Sequence, residues 1–411
     1  MASPWSRMIA LADMNSFFAA VEQLDNPHWR GRPVGVTNGL RGSCIITSSY
    51  EARAYGVKTG MRVREAKQRC PHFIQAPARP ARYAEVSTKI MASLNDLTPE
   101  VEVFSVDEAF LDLTSVQHLY GHDAERIGRL IKAKVFEASG GLHCSVGLSG
   151  DKTTAKWAAK RIKPNGLTIV HPDEAEARLA PEPLTELCGV NTGVAGFFAP
   201  YGVQLCGDMK KIPISIPAKR FGNIGRRLWL MAQGKDPEPL HLTVPDPKSI
   251  GHGKVTPPDT TDLRVVTVYL THMAEKVAAR LRRHRMEADR FTVGVATAAG
   301  WNGGKYRTPH PTADGADIVD LCARFLRDEF WGLGVHQVHV CALNPQPAGL
   351  QTDLFAVDDP RRSRLLAAVD AINDKYGEFT VCPAQLIDRS DMPNVIAPAW
   401  KPGGHRDTIQ R

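Results

Sequence analysis

The chain has 411 residues, of which 43% are hydrophobic, and its 51 Lys and Arg against 44 Asp and Glu give a formal charge of +7. This length exceeds one ordinary core and predicts about two to four domains. Because no run of about 18 uncharged apolar residues occurs and none of the eight cysteines forms a C-x-x-C pair, we expect no membrane span, zinc ribbon or thioredoxin-type motif.

Strands and helices alternate through the first 170 residues, which predicts an α+β or α/β arrangement there. An apolar strand at residues 8–14 passes into a helix near Phe17. The later strands and helices are predicted, in order, as strands 32–36 and 43–49, a helical stretch broken at 56–60, helix 81–97, strand 103–114, helix 121–138, a strand near 144–149 and helix 151–162.

The second half indicates a further, smaller domain. Residues 173–240 are helical and punctuated by glycine, and 244–259 begins as a Pro-rich linker. A long helix at 261–286, strands near 291–298 and 336–343 and a helix near 316–330 follow. The remaining residues, 346–411, are Pro-rich and charged with one predicted helix at 361–376.

Three acids interrupt otherwise apolar strands. Asp13 ends the first strand, and Asp107 and Glu108 lie side by side within VFSVDEAFLDLT. Taken singly, Asp13 could cap the following helix, and the adjacent pair could form a solvated bulge. If the two strands pair, however, three carboxylates meet, and hard oxygen ligands of this kind select Mg²⁺ or Mn²⁺. Carboxylates that bridge two such ions perform phosphoryl transfer.

Five stretches occur in the order seen in one known family: LADMNSFFAAVEQ, SSYEARAYGVKTGM, FSVDEAFLDLT, SVGLSGDKTTAKWAAKRIKPNG and ELCGVNTGVAGFFAPYGV. Over residues 8–345 the sequence resembles the Y-family translesion DNA polymerases, and in particular their bacterial DNA polymerase IV type. The resemblance implies an α+β right-hand fold. Its domains would be palm (1–20 and 77–172), fingers (21–76), thumb (173–243), little finger (247–345) and a C-terminal tail (346–411).

The same resemblance assigns the metal-binding and catalytic positions. Asp13, Asp107 and Glu108 match the palm acids, and the backbone carbonyl of Met14 matches a further ligand. The expected cofactor is a pair of Mg²⁺ ions, with Mn²⁺ as a possible substitute. Asn15 stands where many relatives carry Asp, at a position that is not a metal ligand in the family.

Nucleotide contacts are implied in the same way. Phe18 matches the ring that excludes a 2′-hydroxyl, with Phe17 beside it, although both could be core residues. Three residues of TSSYEAR match triphosphate contacts, and the alternative is a solvated helix start; they are Thr47, Tyr50 and Arg53. Lys163 matches a palm lysine that reaches the same phosphates.

DNA-binding segments are indicated less specifically. Residues 186–203 resemble a helix-hairpin-helix in which Asn191 replaces a glycine, and a plain helix pair is the alternative. The basic helix end at 276–290, together with Lys254, could contact phosphates or be a solvated face. No second group of acids suggests a proofreading exonuclease.

QTDLF, at 351–355, resembles the pentapeptide by which bacterial polymerases bind the sliding clamp. Leu354 and Phe355 would fill an apolar pocket, and Gln351 and Asp353 belong to the same motif. The following stretch, 364–384, resembles a tail of the polymerase V catalytic-subunit type, and could pack on the little finger or bind a partner.

The sequence thus predicts a template-directed DNA polymerase for translesion synthesis that takes template-primer DNA and deoxynucleoside triphosphates, binds the sliding clamp, and acts as a monomer in the bacterial cytoplasm at the nucleoid. The alternatives are a catalytically inactive polymerase-like scaffold that recruits repair factors to the clamp, or another two-metal phosphotransferase such as a nucleotide cyclase.

Overall fold

A computed structural model describes residues 4–39, 44–349, 360–387, 389, 400–402 and 404. The chain divides into two compact units between Val244 and Pro245. None of the helices in this described part has the length and apolar character needed to cross a bilayer.

The helices and strands of the first unit alternate along the chain. In order they are β1 (Ile9–Met14), α1 (Phe17–Asp25), β2 (Val34–Thr37), β3 (Ile45–Ser48), α2 (Tyr50–Ala54), α3 (Val63–Arg69), β4 (Ile74–Pro77), α4 (Pro80–Leu94), β5 (Val101–Ser105), β6 (Glu108–Asp112), α5 (Ala124–Ser139), β7 (Cys144–Ser149), α6 (Lys152–Arg161), β8 (Leu167–Ile169), α7 (Ala175–Leu179), α8 (Thr192–Phe198), α9 (Ser215–Phe221) and α10 (Asn223–Met231).

The main sheet has the order β5-β6-β1-β7-β8, with β1 antiparallel to both of its neighbours. Successive side chains of a strand point to opposite faces. Ala10 and Ala12 accordingly belong to a core with residues of α4 and α5, whereas Ile9 and Leu11 pack in a second cluster with residues of α6. Asp13 therefore continues the face that α6 covers.

The predicted single strand at 103–114 is wrong. The chain instead makes a hairpin, in which β5 and β6 are joined by a turn at Val106 and Asp107. The turn contains Asp107, so the two adjacent carboxylates do not share one continuous buried strand. Asp107 leaves the ladder, and Glu108 begins β6.

A smaller sheet, in the order β3-β2-β4, completes the strand structure that is described for this unit, and α1 packs against β2, β3 and α4. Phe17 anchors α1 in the main core. The buried carboxylate of Glu22 accepts hydrogen bonds from Tyr83 Oη at 2.6 Å and Arg79 Nε at 2.9 Å. These bonds join α1 to α4.

Residues 175–231 form a separate helical core that includes Phe198, Leu228 and Met231. Asn191 does not adopt the left-handed conformation expected from the glycine it replaces. Its backbone is extended, and its Oδ1 accepts a hydrogen bond from Val194 N at 2.9 Å. Asn191 is the N-cap of α8, and Gly189, at φ +82°, makes the turn.

The second unit has its own sheet and core. Its elements are β9 (Ser249–Thr260), α11 (Leu263–Arg283), β10 (Met286–Thr297), β11 (Gly300–Thr312), α12 (Gly315–Asp328), β12 (Val335–Leu343), β13 (Gln346–Pro347) and α13 (Pro360–Tyr376). The sheet order is β11-β10-β12-β9, and α11 and α12 contribute to a core on one of its faces. The linker was predicted only at the start of 244–259, and strand β9 begins at Ser249, within the stretch 248–256 that resembles the first little-finger strand of the family. Strand β11 was not predicted.

The basic end of α11 does not form a free face. Arg282 binds both carboxylate oxygens of Asp370 at 2.7 Å, and Lys276 lies 3.0 Å from the carboxylate of Glu378. Lys254 pairs in register with buried Val338, so its side chain lies on the face that α11 covers. The two ion pairs attach α13 and Glu378 to the second unit.

Candidate active site

The register of the main sheet places two of the three predicted acids opposite each other. Asp13, the penultimate residue of β1, pairs with Glu108, the first residue of β6. Asp107 precedes Glu108, and its carbonyl accepts a hydrogen bond from Met14 N at 2.9 Å. We call Asp13, Asp107 and Glu108 the acid cluster.

Burial and mutual repulsion act on the acid cluster. Asp13 is only 6% exposed, and burial raises the pKa of its carboxyl group even though Lys163 acts in the opposite direction. Burial also raises the pKa of Asp107, to about 6, with further upward contributions from the charges of Glu108 and Asp13. Acids whose ionised forms are disfavoured in this way bind a cation readily, because the cation removes the repulsion.

Two lysines approach the acid cluster from α6 and the turn that follows it. Lys163 Nζ lies 2.6 Å from Asp13 Oδ1, and Lys156, on the sheet-facing side of α6, pairs with Glu108. Asp107 has a different partner, because Ser105 Oγ donates to its Oδ1 at 2.7 Å. The cluster therefore has ammonium partners for two carboxylates and a hydroxyl for the third.

The donor set suits a divalent cation, since it offers three carboxylates from two paired strands at one end of a sheet. In the side-chain positions that the structure describes, no group of three His, Cys, Asp or Glu residues converges on a metal position. Lys163 and Lys156 hold two of the carboxylates in ion pairs. Cation binding would require those carboxylates to turn from the ammonium groups toward Asp107.

Phe17 and Phe18 have different surroundings. Phe17 is 3% exposed and belongs to the main core, whereas Phe18 is only partly buried. The Phe18 ring stacks on Tyr83 with a centroid distance of 4.4 Å and an interplanar angle of 17°. Sequence reasoning did not find Tyr83, because no local pattern connects α4 to this ring.

Thr47, Tyr50 and Arg53 lie together at the end of β3 and the start of α2. Arg53 Nε donates to Ser48 O at 3.0 Å, and its guanidinium lies 4.8 Å from the centre of the Tyr50 ring. The Tyr50 hydroxyl is buried and has no hydrogen-bond partner within the described residues. A buried hydroxyl without a partner is costly and indicates a place for a ligand oxygen.

The clamp-binding residues Gln351, Asp353, Leu354 and Phe355 lie outside the described residues.

Lys156 was not predicted, although its position on the face of α6 that covers β1 could have been found from the helical period of DKTTAKWAAKRI.

Two family models match the chain. The impB/mucB/samB family model matches residues 12–160, and the model of that family's C-terminal domain matches residues 247–354. A curated protein of Moorella thermoacetica named DNA polymerase IV is 36% identical over 381 residues, which cover 91% of this chain and 94% of that protein.

This chain belongs to the Y-family DNA polymerases, of the DNA polymerase IV type. A second DNA polymerase IV, from Pelotomaculum thermopropionicum, is 33% identical over 92% of this chain and 94% of its own length. A solved Y-family DNA polymerase chimera aligns with a TM-score of 0.70 and 28% identity, covering 82% of this chain and 98% of the chimera. These matches confirm the predicted family, the α+β right-hand polymerase fold and the enzyme class, a DNA-directed DNA polymerase.

Proposed function

We propose that this chain performs translesion synthesis, adding deoxynucleotides to a primer 3′-end opposite a template, with low fidelity and without proofreading. The observation that carries the proposal is the register of β1 and β6, which sets Asp13 against Glu108 with Asp107 beside them. Family membership supplies the substrate class, template-primer DNA and deoxynucleoside triphosphates.

Asp13, Asp107, Glu108 and the carbonyl of Met14 would hold two Mg²⁺ ions. When bound, such ions lower the pKa of the primer hydroxyl and neutralise charge on the triphosphate and the leaving pyrophosphate. Lys163 would act together with the ions. If Asp13 turned toward the cation, the ammonium of Lys163 would become available to phosphate oxygens.

The incoming nucleotide would be held by the residues at the start of α2. The Tyr50 hydroxyl lacks a partner, and the guanidinium of Arg53 is fixed against the Tyr50 ring by its bond to Ser48. Together with Thr47 they present a phenol, a guanidinium and a hydroxyl to phosphate oxygens. Phe18, stacked on Tyr83, would lie under the sugar and exclude a 2′-hydroxyl.

In this proposal the main sheet with α4, α5 and α6 is the palm, and the sheet of β2, β3 and β4 belongs to the fingers. The helices from α7 to α10 form the thumb, and the second unit is the little finger. The predicted boundaries, 1–20 and 77–172, 21–76, 173–243 and 247–345, remain proposals, and the second unit extends beyond the last of them because it includes α13.

The direct test is primer extension with Mg²⁺. The wild type extends the primer, whereas the combined change of Asp107→Ala and Glu108→Ala abolishes extension and leaves DNA binding intact. Asp96→Asn, which alters a largely exposed acid paired with Lys134, serves as the matched control and retains activity. An inactive wild type would favour the scaffold alternative, and activity in the double variant would show that the site lies elsewhere.

Sugar selection tests the role of Phe18. Phe18→Ala should reduce the preference for deoxynucleotides over ribonucleotides on the order of 10²-fold, because the clash with the 2′-hydroxyl disappears. Phe17→Ala is the matched control, since it removes a buried ring of the main core and should lower stability without changing sugar preference. Unchanged selectivity in Phe18→Ala would place the gate at another residue.

Clamp binding is proposed from residues 351–355 alone. Replacing Leu354 and Phe355 with alanine should leave distributive synthesis intact and remove stimulation by the clamp, because these side chains supply the apolar contact. Equal stimulation of the variant and the wild type would refute the proposal.

A further inference from the structure

The turn that carries Lys163 is held by the end of strand β1. We call residues 163–166 the lysine turn. The amide of Asn165 donates to Asn15 Oδ1 at 2.6 Å, and the amide of Gly166 donates to Ser145 Oγ at 3.2 Å. Gly166 admits no side chain, because a Cβ there would lie 1.9 Å from the carbonyl oxygen of Ile162. The turn therefore has one close-packed geometry, and two further bonds hold its carbonyls, since Lys132 Nζ donates to Asn165 O at 2.5 Å and Val146 N donates to Gly166 O at 3.1 Å.

Asn15 connects the lysine turn to the acid cluster. It lies two residues after Asp13, is 6% exposed, and its own amide donates to His143 O at 3.0 Å. Its Nδ2 donates to Ser145 Oγ at 3.0 Å, while its Oδ1 accepts from the turn. Both ends of the Asn15 side chain are thus used, and neither bonds to the acid cluster.

We propose that Asn15 is a positioning residue that sets the reach of Lys163 toward Asp13 and the triphosphate. This inference rests on the proposed role of Lys163 in holding the nucleotide. If the Asn15 contact is lost, the amide of Asn165 loses its acceptor and Lys163, whose side chain is 27% exposed, gains freedom. The ammonium would then occupy its position above Asp13 for a smaller fraction of the time.

The Asn15 side chain is also uncharged. An aspartate would offer the same acceptor to Asn165, but it would add a fourth carboxylate two residues from Asp13. Asn15 holds the turn without adding a negative charge beside the acid cluster. The proposed positioning role rests on the acceptor that Asn15 supplies to the turn, which an aspartate would also supply.

The test is a double-mutant cycle on nucleotide binding. Single-turnover primer extension gives the apparent dissociation constant of the incoming nucleotide and the maximal rate separately. Asn15→Ala and Lys163→Ala should each raise that constant about five-fold, the effect of roughly one hydrogen bond. The double variant should be no weaker than Lys163→Ala alone, because Asn15 acts only through the lysine.

Two further variants distinguish positioning from folding. Asn15→Asp keeps the acceptor and should bind nucleotide within about two-fold of the wild type. Asn95→Ala, a matched change at the end of α4 where the amide bonds only to its own helix, should have no effect.

Additive effects of Asn15→Ala and Lys163→Ala would overturn the proposal, as would a five-fold loss in Asn15→Asp with an unchanged melting temperature. If Lys163→Ala alone leaves nucleotide binding unchanged, the proposed role of Lys163 fails as well. A loss in Lys163→Ala with none in Asn15→Ala removes only the positioning role.

Discussion

Buried charge is compensated differently in the acid cluster of the first unit and at the contacts of α13 with α11 and with the start of α12 in the second. At the acid cluster, burial raises the pKa of Asp13 although Lys163 lies within 2.6 Å. At the contacts of α13, the bond to Arg362 lowers the pKa of Asp314. Both ion pairs lower the pKa of their carboxyl group, but burial outweighs the pair at Asp13 and does not outweigh it at Asp314.

The difference in charge compensation separates a structural contact from a candidate cation site. Arg282 with Asp370 and Arg362 with Asp314 are matched pairs in which the guanidinium binds both carboxylate oxygens. Such pairs hold structure together and need nothing further. The acid cluster is poorly stabilised by its own chain, and a bound cation would stabilise it. A change in the acid cluster should therefore lower activity without lowering stability. A change at the contacts of α13 should lower stability without lowering activity.

The largest expected effect is that of Asp107→Asn. Polymerase activity should fall on the order of 10³-fold, because the proposed site loses one of its cation ligands. The free energy of unfolding without Mg²⁺ should stay the same or rise, since a neutral amide replaces a buried carboxylate that Asp13 and Glu108 repel. Single-turnover extension and urea denaturation measure the two quantities. A loss of stability in parallel with activity would remove the distinction between the regions.

A change in the second unit should lower stability and leave polymerase activity nearly unchanged. Glu378→Gln removes the charge facing Lys276, which is 3% exposed, and should lower the free energy of unfolding by about 2 kcal/mol. The rate of the chemical step at saturating DNA should remain within about two-fold, because the residue is remote in sequence from the acid cluster and in a different unit.

The matched control is Asp374→Asn, whose pair with Arg283 is largely exposed, with side-chain exposures of 64% and 42%. This change should alter stability by less than about 0.5 kcal/mol. If both variants lose the same stability, burial of Lys276 does not determine the strength of this contact.

The smallest expected effect is pH-dependent. The pKa of Asp314 in the folded chain lies below its ordinary value of 3.8, so its pair with Arg362 stabilises the fold above that pH. The contribution is lost as pH falls through the lower folded value. Arg362→Gln should therefore cost about 1 kcal/mol near pH 7 and progressively less below about pH 4. Urea denaturation at several pH values tests this, and a constant difference down to pH 2 would contradict it.

Some of this organisation was predictable from local sequence and some was not. The positions of Asp13, Asp107 and Glu108 followed from acids in apolar strands, since burial of such groups requires a reason. The hairpin at Val106 and Asp107 was missed, because its turn lacks the glycine, asparagine or proline that usually marks one. The local sequence thus indicated the acidic residues of the site more readily than it indicated the turn between β5 and β6.

Strand β11 was missed for a different reason. GWNGGKYRTPHPT contains glycine and proline, which disfavour strands in isolation. In the fold, Gly303 faces Gly294 of β10, and the Trp301 ring lies so close that a Cβ on Gly294 would approach it to 2.5 Å. The glycines allow a ring to pack against the sheet, which only the pairing of two distant segments reveals. The partners of Arg282 and Lys276 are likewise about 90 to 100 residues away, beyond any local pattern.

The most direct measurement is a crystal structure of the chain with template-primer DNA, an incoming nucleotide and Mn²⁺, with the ions located by anomalous scattering. We expect manganese peaks at bonding distance, about 2.2 Å, from carboxylate oxygens of both Asp13 and Asp107, with Lys163 turned toward the triphosphate. A complex in which Lys163 remains paired with Asp13 and no ion lies between the two aspartates would contradict the account.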